Sequence, residues 1–326
     1  MIKFLHRYIK LCFLIILSLI LFNGCYSNST KITELPKAKL AASKCRVIKH
    51  SLGESCIPLN PQRVIALDEV MMEVLLALDL KPIATAQPNI TGSKIQKLGK
   101  KAEGIVSLGK ESQPNLEKMV QLNPDLILGS YLGVEQYKLF SQIAPTVTLD
   151  YVQSAWQDDL LRIGEIIGKS TQAQKILEQY QQRVQELRTV ITNKLASKKI
   201  SVIRFYAGRQ NTEFRTKFSF PVSLILDVGL SLPEVQNQLT NNSDQTSVLV
   251  SLERADLINA DVIFVALDPG AEDAFQQYQN SQLWQKLKAV ENNRVYTVDS
   301  GYWIFGNILS ANVILDDIWK YLLKDI

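Results

Sequence analysis

Three basic residues, Arg209, Arg215 and Lys217, follow closely on Tyr206. An aromatic group, Tyr302, Trp303 and Phe305, stands near the C-terminus, and Tyr131 lies in the first half. Guanidinium forks donate paired, charge-assisted hydrogen bonds to anionic oxygens, and aromatic faces cover apolar rims. Together these residue types suit a bulky ligand with an apolar edge and an oxygen-rich face. Each residue also has an ordinary reading: a loop arginine is solvated, and a tyrosine or tryptophan at a strand end packs into a core. Arg204, inside the apolar run Ile200–Tyr206, could point to either side of a strand.

Other chemistries are poorly supplied. The chain has only two histidines, His6 and His50; protein-held zinc or manganese needs several imidazoles, so any metal would have to arrive already chelated. No Gly-x-Ser-x-Gly elbow or histidine-containing triad is present, which argues against an enzyme. The stretch Gly164–Thr171 places three residues between its glycines, where a phosphate-binding loop needs four and a preceding strand. It reads better as the end of one helix and the cap of the next. No cofactor is expected.

The first 24 residues set the compartment. Lys3, Arg7 and Lys10 precede the apolar run Leu11–Phe22, and Gly24 precedes Cys25, the layout of a secretory signal. The run is too short to span a bilayer, which takes about 20 apolar residues. Leu21–Cys25 resembles a bacterial lipobox, in which Cys25 would be lipidated; an ordinary signal with an incidental cysteine is the competing reading. Residues 25–44, polar and without periodicity, suit a tether. Cys45 and Cys56 flank a Ser-Leu-Gly turn in 45–60, where a hairpin would bring them together as a disulfide; two free thiols are the alternative. Losing Lys3, Arg7 and Lys10 lowers the formal charge from +4 to +1. That balance offers nothing to nucleic acid.

Which elements would position the ligand-type residues follows from periodicity. From residue 61 to 170, short apolar runs (Arg63–Leu67, Pro82–Ala86, Asp125–Gly129, Thr146–Leu149) alternate with helical patterns (Val70–Leu78, Asn115–Leu122, Val134–Ile143). This is the pattern of a mostly parallel sheet covered by helices. From 198 to 326 a second set repeats it, with strands at Ile200–Tyr206, Asp261–Leu267 and Arg294–Val298 and helices including Leu252–Ile258 and Ala311–Leu323. Between them, in 171–197, Ala173, Ile176, Leu177, Tyr180, Val184, Leu187, Ile191 and Leu195 mark one face of a helix with no Pro or Gly. The fold expected is α/β: two α/β lobes joined by one long rigid helix, with a ligand cleft between them. Ligands bind outside the carboxyl ends of such strands. That selects Asp68–Glu69, Gln87–Gly92, Gly109–Gln113 and Ser130–Gly133 in the first lobe, and Ala207–Phe218, Asp268–Asp273 and Ser300–Asn307 in the second.

Several stretches occur in a telling order: His50–Glu54, Pro58–Val64, Glu73–Leu78, Asn115–Met119, Leu122–Leu128, Ile143–Val147, Ser251–Glu253 and Ala260–Phe264. In wording and spacing the chain resembles the class III, or helical-backbone, periplasmic binding proteins, which deliver ferric siderophores, haem and cobalamin to ABC importers. The resemblance covers residues 45–326. It implies a lipid-anchored, monomeric receptor in the periplasm or at the cell surface. A ferric siderophore is the implied ligand, the siderophore itself holding the iron, with cobalamin or haem as runner-up. The ligand contacts expected from the carboxyl-end loops and their residue types are Arg209, Arg215, Trp303, Tyr302, Tyr131, Tyr206 and Lys217. The resemblance further implies that Glu117 and Glu253, one per lobe, dock into basic pockets of the permease; a helix-start charge is the plain reading of either.

Overall fold

The computed structural model describes residues 45–95, 97–195, 197–208, 212–241 and 243–324. The expected signal, tether, Cys25 and Arg209 lie outside the described residues. The first described element is a hairpin, β1 (Cys45–His50) and β2 (Gly53–Pro58), antiparallel with Cys45 opposite Pro58 and Val47 opposite Cys56. A disulfide joins Cys45 and Cys56, whose Cα atoms are 5.5 Å apart.

Strands β3 (Val64–Ala66), β4 (Ala84–Gln87), β5 (Val106–Lys110), β6 (Leu126–Ser130) and β7 (Thr146–Leu149) form a sheet of order β5-β4-β3-β6-β7, parallel throughout. Strand β5, in Val-Ser-Leu-Gly-Lys, escapes the apolar pattern because only Leu108 is buried. The first helix, α1 (Glu69–Ala77), starts where the Asp68 carboxylate accepts from the Met71 N–H at 2.8 Å. After the sheet come α2 (Trp156–Ile166) and α3 (Ser170–Leu195).

Helix α3 is the expected rod. It runs unbroken for 26 residues, about 39 Å at 1.5 Å per residue. Its apolar stripe is buried at Ala173, Leu177, Tyr180, Val184, Leu187, Ile191 and Leu195. Those side chains join one continuous cluster with Val64 and Ala66 of β3, α1, and the second sheet. The helix is therefore a wall of a shared core as well as a spacer.

The second sheet has the order β10-β9-β8-β11-β12. Strands β8 (Ile200–Phe205), β11 (Val262–Leu267) and β12 (Val295–Asp299) are parallel, while at one edge β9 (Thr212–Arg215) runs antiparallel to both β8 and the outer strand β10 (Ser247–Val250). Here the structure corrects the sequence reading: Arg215 belongs to a strand, not to a loop over 207–218. The charged residues of Thr-Glu-Phe-Arg hid that strand, since all four are buried. Leu252–Ile258 is a 3-10 segment with Arg254 off helical geometry, not a regular helix. Helix α4 (Phe220–Asp227) packs on the shared core, and the last helix, α5 (Ile308–Ile318), packs against α1, α3 and α4.

Candidate functional site

A cavity of about 500 Å³ opens at the carboxyl ends of the first sheet, a size that suits a small-molecule ligand. Its walls come from the loops after β3 (Leu67–Val70), β4 (Pro88–Gly92), β5 (Glu111, Ser112) and β6 (Ser130–Leu132). Arg204, Gly301 and Phe305 close it from the second lobe. The first-lobe loops are those selected by the carboxyl-end rule.

Arg204 reaches the cavity because of strand alternation. Ile200 and Val202 of β8, with Val262, Phe264 and Ala266 of β11, face the shared core, whereas Ile203 and Phe205 face a second cluster behind the sheet. Arg204 has the parity of Ile200 and Val202 but stands at the strand's open end. Asp268, one step past β11 and of matching parity, holds the guanidinium: Nε lies 3.1 Å and Nη2 2.9 Å from Oδ2. The Tyr206 ring covers the same guanidinium, its centroid 4.3 Å away. Burial, then the hydrogen bond with Glu213, push the Tyr206 hydroxyl up to about 12, so it stays protonated.

Arg215 is not at the cavity. It is 2% exposed, donates to Glu213 Oε1 at 2.7 Å and to Gln153 Oε1 at 2.9 Å, and burial lowers its pKa. Trp303 is also displaced from the expected place: fully buried, it packs against Phe264 with ring centroids 4.6 Å apart and planes tilted by 34°, and donates its indole N–H to Asp317 at 2.8 Å. Tyr302 is buried behind the wall, with Lys97 6.0 Å above its ring. Lys217 is half-buried, 5.2 Å from the Phe218 ring and away from the lining. The local cause is the short turn at Ser300–Trp303, capped by Asp299, whose Oδ1 accepts from the Gly301 N–H at 2.9 Å. It turns Tyr302 and Trp303 inward and leaves Gly301 and Phe305 facing the cavity.

Tyr131 lies on the cavity wall and is 64% exposed, in the left-handed region at φ 50°. Its ring meets Tyr151 edge-on at 6.4 Å. The acidic wall residues are largely engaged. Asp68 accepts from Met71 and, at 2.9 Å, from the Ser130 N–H; Glu69 accepts from Ser93 and, at 2.6 Å, from the Lys94 N–H. Burial, then repulsion by Asp68, raise Glu111, which the Asn89 N–H partly offsets. The cavity thus offers one guanidinium held on its wall by Asp268, aromatic cover and hydrogen-bonding edges, and among the described residues no group of three or more His, Cys, Asp or Glu is placed to hold a metal ion.

Glu117 and Glu253 are both exposed, outside the cavity lining, in the first turns after Asn115 and Ser251. Glu253 is held low by its own backbone N–H and by the Ser251 side chain. His50 lies on the hairpin, its Nε2 3.1 Å from Ser55 Oγ, and burial lowers its pKa.

This arrangement, two sheets opening on one cavity and tied by a long helix, recurs in known proteins. Residues 64–302 match the family described as Periplasmic binding protein. The chain is 30% identical to the probable siderophore-binding lipoprotein YfiY of Bacillus subtilis, over 98% of this chain and 99% of that one. It is 28% identical to the achromobactin-binding periplasmic protein of Dickeya dadantii, over 79% of this chain and 85% of that one. The crystal structure of Staphylococcus aureus SirA complexed with staphyloferrin B superposes with a TM-score of 0.74 at 28% identity, covering 85% of this chain and 98% of that one. The chain belongs to the periplasmic binding protein family, and is a binding protein rather than an enzyme.

Proposed function

We propose that the chain is the extracytoplasmic receptor of an ABC importer and that it captures a ferric siderophore and passes it to the permease. The observation that carries this reading is the Arg204 guanidinium, held by Asp268 on a cavity wall that Tyr131 and Phe305 also line. A siderophore completes the coordination of its iron with its own oxygens, so the receptor sees an oxygen-rich face and an organic rim. A guanidinium and aromatic faces match those two surfaces. The siderophore names carried by YfiY, the achromobactin-binding protein and SirA support the same class.

Arg204 takes the role assigned from sequence to Arg215, and Phe305 that of Trp303 and Tyr302; Tyr131, on the wall, is retained as a ligand contact, while Tyr206, outside the lining, acts through Arg204 by covering its guanidinium. Arg209 follows Tyr206 closely in sequence and is retained as a second cation. Glu117 and Glu253 serve as the permease contacts, their exposure on separate lobes being the support. Cys25 carries the lipid, in line with the lipoprotein name of YfiY; the receptor acts as a monomer and needs no resident cofactor.

Intrinsic fluorescence and calorimetric titration of the processed chain against ferric staphyloferrin B, ferric citrate, ferric bacillibactin, haem and cobalamin tests the proposal. Saturable binding of a ferric siderophore without turnover is expected. Saturation by haem or cobalamin alone, or by nothing in the panel, would end it.

A further inference from the structure

Besides the apolar cluster that they share through α3, α4 and α5, the two lobes meet in a polar contact beside the cavity. Glu73, on α1 of the first lobe, is fully buried. Its carboxylate pairs with Lys94 Nζ at 2.7 Å and accepts from the Ser310 hydroxyl at 2.7 Å and the Ser310 N–H at 3.2 Å. The Asn307 N–H donates to it as well. Lys94 in turn donates to the Phe305 carbonyl at 2.9 Å. Nearby, the Gly92 N–H donates to Ser300 Oγ at 3.1 Å, the Tyr151 hydroxyl donates to the Gly306 carbonyl at 2.7 Å, and Lys97 pairs with Asp299.

The backbones also touch. A Cβ on Gly301 would stand 2.5 Å from the Gly92 carbonyl oxygen, so only glycine allows this approach. These contacts tie Glu73, Tyr151 and the first-lobe segment 92–97 to one second-lobe segment, 299–310. Gly92 and Lys94 of the first, with Gly301 and Phe305 of the second, also line the cavity.

We propose that Glu73, Lys94 and the Gly92–Gly301 contact form a clasp that holds the second-lobe wall at binding distance, making them positioning residues for ligand capture. Swinging the lobes apart at this contact would leave the Glu73–Lys94 pair, both of the first lobe, together but stripped of the Ser310 and Asn307 donors and of the Phe305 carbonyl that complete its hydrogen bonds. Such a state is costly, so the contact is made or broken as a whole rather than loosened by degrees. A buried pair of this kind is weak evidence for overall stability; its clearer use is to specify one geometry. The rod sets how far apart the lobes stand, and the clasp sets how they face each other. The geometry of the clasp stands on its own, while its consequence for capture rests on the siderophore reading above.

Hydrogen–deuterium exchange of the full chain without ligand, followed by dissociation kinetics of ferric staphyloferrin B, tests the clasp. Gly301→Ala drives a methyl group into the Gly92 carbonyl without removing any charge. Ser310→Ala removes one donor from Glu73 with little change in volume, and decides the matter if the first variant does not fold. In each folded variant, exchange should quicken at least tenfold in 92–97 and 299–310 while the buried strands β8 and β11 keep wild-type protection. Dissociation of the chelate should quicken at least tenfold too. Wild-type exchange in both segments, or quickening spread evenly over the molecule, would overturn the clasp. If the wild type binds no chelate at all, the exchange result still judges the clasp and only the siderophore reading falls.

Discussion

At the scale of single residues, the chemistry of the cavity turns on which charges are spent on each other. Arg204 keeps a bidentate grip on Asp268 while lining the cavity, whereas Arg215 is consumed by Glu213 and Gln153. Arg204→Lys should keep Asp268 paired but lose the planar fork, so siderophore affinity is expected to fall roughly tenfold, about 1.4 kcal/mol. Titration calorimetry would read this; an unchanged Kd would remove Arg204 from the site. Asp159, in the first turn of α2, presents a different case. It is buried, its Oδ2 has no hydrogen-bond partner, and burial followed by repulsion from Asp158, Asp68 and Asp150 raises its pKa from 3.8 to about 7. A raised folded value means that the folded state binds the extra proton. The contribution is complete below the ordinary value of 3.8 and is lost as pH rises through about 7. Asp159→Asn should therefore stabilise the chain at pH 8 by on the order of 1 kcal/mol relative to pH 5. Urea unfolding at the two pH values decides it, an equal effect at both being the contrary result.

At the scale of elements, helix α3 carries the largest single consequence. Its buried stripe touches both lobes, and its other face is exposed at Gln181 and Gln182. Gln182→Pro breaks the backbone ladder without altering the stripe and should cost about 3 kcal/mol or more, seen as a fall in the urea midpoint. A neutral outcome would mean that the rod is not structurally required. The helix was legible in sequence because a 3.6-residue period over many turns is a strong signal with no Gly or Pro to weaken it. Strands β5 and β9 were not legible, for a physical reason: in β9, Glu213 and Arg215 are buried only because each meets a partner brought by another segment. Local composition reads such residues as solvated.

At the scale of the molecule, two lobes share one apolar cluster through α3, α4 and α5. Calorimetry should therefore show one cooperative transition rather than two. Two separable peaks would mean that the lobes fold independently. The permease contacts also belong to this scale, since they require both lobes at a set separation. Glu117→Ala and Glu253→Ala, on the exposed surface, should each leave siderophore binding unchanged and together reduce cellular uptake severalfold. Full uptake by the double variant would return both residues to the plain role of helix-start charges.

By itself the sequence determined the two-lobe α/β plan, the connecting helix, the loops that line the first-lobe wall and the family. All of these are written in local periodicity and in the order of short stretches along the chain. Tertiary structure decided which side chains of the second lobe face the cavity. Arg204 is held by Asp268, 64 positions away, and the clasp joins Glu73 to Ser310 across 237. Trp303, Tyr302 and Arg215 have the residue types of ligand contacts, but their burial follows from strand pairing and turn direction. Whether a polar or aromatic group meets ligand or core depends on what the rest of the chain packs against it, and pairing over such distances leaves no local mark.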